Sequence, residues 1–231
     1  MERERVMIGG IPALVWGAPA GKVVVFVHGK MGSKEDAAGL AAIAVRKGWQ
    51  TLSFDLPEHG ERAADHVRRC DVWQGREDLA RVADYAFAHW GEAALFACSL
   101  GAYFSLQAYG ARPFSFALFQ SPIVDMRELV EKMMLWFSVT PERLEAEGEV
   151  DTPIDPLRWD SVQYIRAHPA EDWPIPTAIL YGGKDDLQSR AALETFAGRF
   201  GARLTVAEES GHAFMEPGDG GIIAAWLEEN L

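Results

Sequence analysis

Three side chains of this 231-residue chain have the types that nucleophilic acyl transfer requires. Ser99 stands at the junction of a strand-like run, Ala93 to Cys98, and a helix-like run, Leu100 to Tyr109. A serine hydroxyl is a weak nucleophile until a base takes its proton. His212, in Glu209-Ser210-Gly211-His212-Ala213-Phe214, follows a strand-like run on a glycine-bearing loop. Imidazole titrates near neutrality, so it can accept that proton and later return it to a leaving group. An acid must then hold the imidazole in the correct tautomer. Asp185 and Asp186, in Tyr181-Gly182-Gly183-Lys184-Asp185-Asp186, both follow a strand-like run. Asp185, three residues past the first glycine, is the preferred acid, with Asp186 as a solvated neighbour. Asp125 follows another strand end and is the alternative. Each residue alone has a plainer reading, as a helix cap, a turn residue or a loop histidine. Their coincidence at the ends of successive strands favours a Ser-His-Asp triad.

The local sequence around Ser99 suits a nucleophile elbow, a strained strand-to-helix turn that holds the hydroxyl clear of the sheet. Small residues at Ala97 and Gly101 let the two backbones approach, with Ala97 where the first glycine of such an elbow usually stands. An oxyanion formed at the attacked carbonyl needs backbone N–H donors. Leu100 N–H comes with the elbow. The second donor is expected from His28-Gly29-Lys30-Met31-Gly32-Ser33, at Lys30 N–H, with Met31 as the alternative. Losing one such donor costs about 3 kcal/mol of transition-state stabilisation. His28 is expected to brace this turn and His59 to close another, while His66, His89 and His168 read as surface or cap residues. Met133, Met134, Trp136 and Phe137 form either the core of an insertion or, where they face Ser99, an apolar acyl or aryl pocket. Met133, Trp136 and Phe137, with Met31 beside the oxyanion turn, are the candidate substrate-binding side chains.

Positioning these groups takes a sheet. Val23-Val24-Val25-Phe26-Val27 is a continuous β-branched and aromatic run, as in a strand buried on both faces. Strand-like runs also lie at Ala13 to Trp16, Trp49 to Phe54, Phe114 to Phe119, Thr177 to Tyr181 and Arg203 to Ala207. Helical spacing separates them: Ser33 to Lys47, Gly75 to Trp90, Leu100 to Tyr109, Ser189 to Phe200 and Gly220 to Leu231. This α/β alternation predicts a mostly parallel central sheet with helices on both faces, in one domain over 1–231. Between about 123 and 174 the pattern breaks. A helix-like Met126 to Phe137 and a Thr140-Pro141 helix start are followed by Pro153, Pro156, Pro169 and Pro174. This stretch reads as a helical cap insertion.

Bulk composition narrows the partners. Hydrophobic residues make up 48% of the chain, enough for a sizeable core. The formal charge of -12 argues against nucleic acid and against an anionic membrane surface, both of which select clustered Lys and Arg. Cys70 and Cys98, the two cysteines, stand in unrelated contexts and suggest a reducing compartment. Met1-Glu2-Arg3-Glu4-Arg5 has no apolar h-region, and no apolar run approaches ~20 residues. A cytoplasmic location and no membrane span are the expectations.

The motifs His28-Gly29-x-x-Gly32-Ser33-Lys34, Phe54-Asp55-x-Pro57-x-His59-Gly60, the Ser99 elbow, Ile175-Pro176-Thr177 leading to Gly182-x-x-Asp185, and Gly211-His212-x-Phe214 together resemble the α/β-hydrolases. The likeness is to the small serine esterase, monoacylglycerol-lipase and cinnamoyl-esterase type. The chain departs from it at Ala97-Cys98, at Glu58, where a glycine is expected, and at Lys30, where an apolar or aromatic residue is usual. The resemblance implies the α/β-hydrolase fold, catalysis by Ser99, Asp185 and His212 through an acyl-enzyme, no metal or organic cofactor, and a small-molecule ester substrate. A thioesterase, or an amidase or peptidase, would share every catalytic atom. A binding protein on an idle hydrolase scaffold is the alternative from another class.

Overall fold

The computed structural model describes residues 1–64 and 68–231; His66 lies outside the described residues. Ten strands and eight α-helices follow in the order β1 (Arg3–Ile8), β2 (Ile11–Trp16), β3 (Lys22–Val27), α1 (Ala38–Arg46), β4 (Gln50–Phe54), α2 (Val72–His89), β5 (Glu92–Cys98), α3 (Leu100–Ala108), β6 (Ala117–Gln120), α4 (Met126–Trp136), α5 (Pro141–Glu147), β7 (Glu149–Val150), β8 (Leu157–Arg158), α6 (Trp159–Ala167), β9 (Thr177–Gly182), α7 (Arg190–Phe200), β10 (Arg203–Ala207) and α8 (Asp219–Asn230) among the described residues. Eight strands form one sheet in the order β1-β2-β4-β3-β5-β6-β9-β10. The β1/β2 and β2/β4 pairs are antiparallel and every other pair is parallel.

The continuous apolar strands are explained by burial on both faces. Val23, Val25 and Val27 of β3 point into one hydrophobic cluster, and Val24 and Phe26 into another. On β5, Ala93, Leu95 and Ala97 face the first cluster, and Ala94 and Phe96 the second. Successive side chains alternate across a strand, so a strand covered on both sides has no polar position to spare. Residues of α2, α3 and α7 close the first face, and residues of α1 and α8 the second.

Several elements differ from the sequence expectation. Strand β1 was not anticipated, because it is an edge strand with mostly exposed, charged side chains. Strand β6 starts at Ala117 rather than Phe114. A turn precedes it, with Phe114 N–H donating to Arg112 O at 2.9 Å. The helix expected from Ser33 begins as a 3-10 turn over Lys34–Ala37 and becomes α-helical at Ala38. Between β6 and β9 lie α4, α5, the two-residue pair β7/β8, and α6. Helix α6 was missed because only Val162 on it is buried and no side chain caps its start. This segment has its own small cluster, built on Val130, Met133, Met134, Val139, Leu144, Val150, Leu157 and Val162. No helix of the described residues is long and apolar enough to cross a membrane.

Candidate active site

Strand β5 delivers Ser99 in a conformation few residues adopt, with φ 50° and ψ −117°. Holding a non-glycine residue there takes about 1–3 kcal/mol from the surrounding structure. The support is visible. Ser99 N–H donates to Gln120 O at 3.2 Å, and Ser99 O accepts from Ala102 N–H at 3.0 Å and Ile123 N–H at 3.3 Å. Gly101 is required by packing: a Cβ there would lie 2.4 Å from His28 O and 2.6 Å from Val27 O. Gly29 lies against the elbow from the other side, where a Cβ would approach Ser99 Cβ to 3.1 Å.

Ser99, His212 and Asp185 form one hydrogen-bonded line. Ser99 Oγ lies 2.8 Å from His212 Nε2, and His212 Nδ1 lies 2.7 Å from Asp185 Oδ2. The Asp185 carboxylate is fully buried and the imidazole is 16% exposed. Asp185 Oδ1 accepts two backbone N–H groups, from Leu187 at 2.8 Å and Gln188 at 3.1 Å. Both carboxylate oxygens are therefore occupied as acceptors. His212 Nδ1 then carries the proton, and Nε2 is free to accept from the serine.

Backbone contacts set the acid turn against the histidine loop. Gly183 N–H donates to Ala207 O at 2.8 Å and Lys184 N–H to Ser210 O at 2.9 Å. Gly182 makes this possible, because a Cβ there would fall 2.6 Å from both Ser210 O and Gly211 O. Ser121 Oγ donates to His212 O at 2.6 Å, and buried Asp219 accepts from Ser210 Oγ at 2.6 Å and from Glu216 N–H at 2.9 Å. Neither Ser121 nor Asp219 carried a sequence signal; their partners are remote or across a loop. Asp186 is exposed. Asp125 caps α4 instead, accepting from Arg127 N–H at 3.0 Å and Glu128 N–H at 3.2 Å.

Lys30 and Met31 form the turn after β3, closed by Gly32 N–H donating to Gly29 O at 3.1 Å. Neither Lys30 N–H nor Leu100 N–H has an acceptor among the described residues. His28 ties this turn to the next strand end. Its Nδ1–H donates to Gly29 O at 2.7 Å while Nε2 accepts Leu56 N–H at 3.0 Å. Burial, chiefly, pushes its pKa down to about 4, and the nearby His59 adds to this, so the imidazole stays neutral. Glu58 takes a left-handed φ of 62°, where a glycine would be unstrained, and its carboxylate accepts Cys70 N–H at 3.0 Å. Burial also raises the Cys98 thiol to about 12, which removes it as a competing nucleophile at neutral pH.

Beside Ser99 lies a cavity of about 150 Å³. Its wall is an apolar stripe of α4, Met126, Leu129, Val130 and Met133, at helical spacing. Of the four candidate substrate-binding side chains, Met133 lines this cavity and Met31, Trp136 and Phe137 do not. Met31 is 91% exposed, its side chain thrown outward by a left-handed φ of 64°. Trp136 is 42% exposed at the end of α4, which has run past the cavity, and Phe137 packs on the insertion cluster. At the mouth, Lys30 Nζ pairs with Asp155 of the insertion, and both residues line the cavity. Leu100, Tyr103 and Phe104, the first turns of α3, complete the inner wall.

No protein-family model matches the chain, and no curated protein matches it in sequence. Solved structures do match it, along nearly its whole length. Est1E from Butyrivibrio proteoclasticus, in a structure with ferulic acid bound, superposes with a TM-score of 0.76 at 16% identity over 98% of this chain and 97% of that one. Alpha/beta hydrolase domain-containing protein 10 from mouse does so with a TM-score of 0.76 at 16% identity, over 100% and 98%. The chain has the α/β-hydrolase fold. A thioesterase domain from the curacin biosynthetic pathway shares this fold more distantly, with a TM-score of 0.61 at 15% identity over 98% of both chains. The α/β-hydrolase fold places strand ends β3, β5, β9 and β10 on one rim, which is where His28 to Gly32, Ser99, Asp185 and His212 stand.

Proposed function

We propose that this protein is a serine hydrolase that cleaves small or medium carboxylic esters through an acyl-enzyme. The observation that carries this is the unbroken line Ser99 Oγ–His212 Nε2–His212 Nδ1–Asp185 Oδ2, with spacings of 2.8 and 2.7 Å. Ser99 Oγ attacks the ester carbonyl carbon as its proton passes to His212 Nε2. The oxyanion is held by Leu100 N–H and Lys30 N–H, neither of which has an acceptor among the described residues; Met31 N–H, equally without one, is the alternative to Lys30. Asp185 stabilises the imidazolium and keeps the ring oriented. His212 then protonates the departing alkoxide as the tetrahedral intermediate collapses to an acyl-serine. Water, deprotonated by the same imidazole, attacks the acyl-serine and regenerates the hydroxyl.

The size of the cavity supports the substrate class. A dry apolar cavity of about 150 Å³ accommodates a benzene-sized group. The cavity beside Ser99, of about 150 Å³, suits a short acyl chain or one aryl ring. The two cysteines, both without a disulfide, support a reducing, cytoplasmic setting.

A fluorophosphonate probe tests the mechanism, and a panel of p-nitrophenyl esters, acyl-CoA thioesters and aminoacyl-anilides tests the leaving group. Expected are labelling that disappears in Ser99→Ala and turnover highest on short esters. A folded wild type that never labels would mean an idle scaffold.

A further inference from the structure

The pair β7/β8 makes a short ribbon, 149–158, in which Glu149 stands opposite Arg158 and Val150 opposite Leu157. Its base is held. Val150 and Leu157 are buried in the insertion's own cluster, and the Glu149 carboxylate accepts Arg158 Nε–H at 3.0 Å and an Arg69 guanidinium N–H at 2.9 Å. The tip, residues 151–156, is stiff within itself. Thr152 Oγ1 accepts Ile154 N–H at 3.3 Å and Asp155 N–H at 3.2 Å and donates to Asp155 O at 2.7 Å. Pro153 and Pro156 each fix a backbone torsion. Among the described residues, the tip's one hydrogen bond to a segment outside the ribbon runs from Lys30 Nζ to Asp155 Oδ1.

That bond joins two walls of the cavity beside Ser99. Lys30 stands on the core turn after β3 and Asp155 on the ribbon, and both line the cavity together with Ile154, Pro156, Leu157 and Arg158. Lining residues that also reach solvent mark the mouth. Ile154 is 43% exposed, and the Lys30 and Asp155 side chains are 32% and 35% exposed. Cys70 lines the same cavity but is only 6% exposed, so it lies on the inner side of that mouth. Burial pushes its thiol up to about 12, and the Lys30 and Asp155 charges are close enough to act on it in opposite directions. The two halves of the pair are unequal. The core half is fixed, because Gly29 O accepts both Gly32 N–H at 3.1 Å and His28 Nδ1–H at 2.7 Å. The ribbon tip has only Lys30, and a part-exposed ion pair is a weak tie that opens readily.

We propose that the Lys30–Asp155 pair is a latch, which holds the ribbon tip closed over the cavity and so limits the size of the group that reaches Ser99. With the pair made, the cavity keeps its volume of about 150 Å³. When the pair breaks, the tip moves outward as one unit on β7 and β8, and longer acyl chains enter. That the entering group is an acyl chain rests on the serine-hydrolase reading; the latch itself does not.

Cys70 reports on the latch without any need for catalysis. The rates at which N-ethylmaleimide modifies Cys70 and Cys98 are read separately, from their two peptides by mass spectrometry, in wild type, Asp155→Ala, Lys30→Met and the double variant. Expected is a rise of about 5-fold at Cys70 in each single variant, with the double variant no faster than the singles, because all three lack the same bond. Cys98 packs against the cluster on the opposite face of the sheet, and its rate should not change. In parallel, kcat/KM on p-nitrophenyl octanoate divided by that on the butyrate should rise about 5-fold in Asp155→Ala. An unchanged Cys70 rate in Asp155→Ala overturns the latch. So do single-variant effects that multiply in the double variant, and so does a parallel rise at Cys98, which would mean a general loosening of the fold. An unchanged octanoate ratio beside a faster Cys70 overturns the size limit. A wild type whose Cys70 behaves as expected, but which neither turns over esters nor labels with fluorophosphonate, keeps the latch and removes the hydrolase reading.

Discussion

Replacing Asp185 by asparagine isolates the contribution of one proton's position. In the wild type, Asp185 Oδ1 accepts from Leu187 N–H at 2.8 Å and Gln188 N–H at 3.1 Å, and Oδ2 faces His212 Nδ1 at 2.7 Å. Two fixed N–H donors decide which way an amide must sit. Its oxygen takes the place of Oδ1, because an NH₂ there would oppose two donors. The NH₂ then faces His212 Nδ1, and two donors cannot share a hydrogen bond. The imidazole moves its proton to Nε2, and Nε2 loses the lone pair that, in the proposed mechanism, receives the Ser99 proton. A triad in the wrong tautomer loses about 10,000-fold in kcat, and at 1.36 kcal/mol per decade this is about 5.4 kcal/mol of barrier. The assay is kcat on p-nitrophenyl butyrate together with the rate of fluorophosphonate labelling, with circular dichroism to establish that Asp185→Asn is folded. Retention of more than a tenth of wild-type kcat in the folded variant would refute the reasoning. Asp125→Asn is the matched control. Its Oδ1 alone accepts both capping bonds, of 3.0 and 3.2 Å, and an amide oxygen can do the same, so this change is expected to cost under about 1 kcal/mol of stability and to leave kcat within threefold.

Two further predictions concern the scaffold under the site. The Lys34 ammonium, 1% exposed, is held by Asp55 at 2.8 Å and by Glu35 and Glu61 at 3.0 Å each. Burial works to lower its pKa, but the carboxylate hydrogen bonds outweigh it and raise the pKa, so this stabilisation is complete at neutral pH and is lost only as pH climbs above 10.5. Asp55→Asn is therefore expected to destabilise by about 3–5 kcal/mol in urea unfolding at pH 7, and a change under 1 kcal/mol would contradict the ion-pair account. The depressed pKa of His28, about 4 against 6.5 when unfolded, makes the unfolded chain the stronger proton binder between those values. Its stabilising share is full above pH 6.5 and is lost as pH falls towards 4, by about 3 kcal/mol. Imidazole NMR should show one neutral tautomer, protonated at Nδ1, down to pH 5; a midpoint near 6.5 would count against it.

Much of the candidate site was legible in the sequence because its residues sit at places where local sequence changes character. Val23 to Val27 and Ala93 to Cys98 are apolar without interruption, since each strand is covered on both faces. Where such a run stops, the polar residue that follows is at a strand end, and Ser99, Asp185 and His212 all stand there. Gly29, Gly101 and Gly182 were conspicuous in sequence for the same cause: backbones from distant segments approach within the reach of a single Cβ.

The remainder depended on partners far along the chain. Asp125 and Asp185 look alike in sequence, both acidic and both just past a strand. Only the fold shows that one spends its lone pairs on the first turn of α4 while the other meets His212. The candidate pocket residues Met31, Trp136 and Phe137 were plausible by type, yet a left-handed backbone and the length of a helix carried them away from Ser99. Tyr103 had no distinguishing local pattern at all. Residue types and spacing determined which groups could react, because strand and turn propensities act over a few neighbours. Tertiary structure decided which of them meet, because hydrogen bonds and burial join residues far apart in the chain, 113 positions apart in the case of Ser99 and His212.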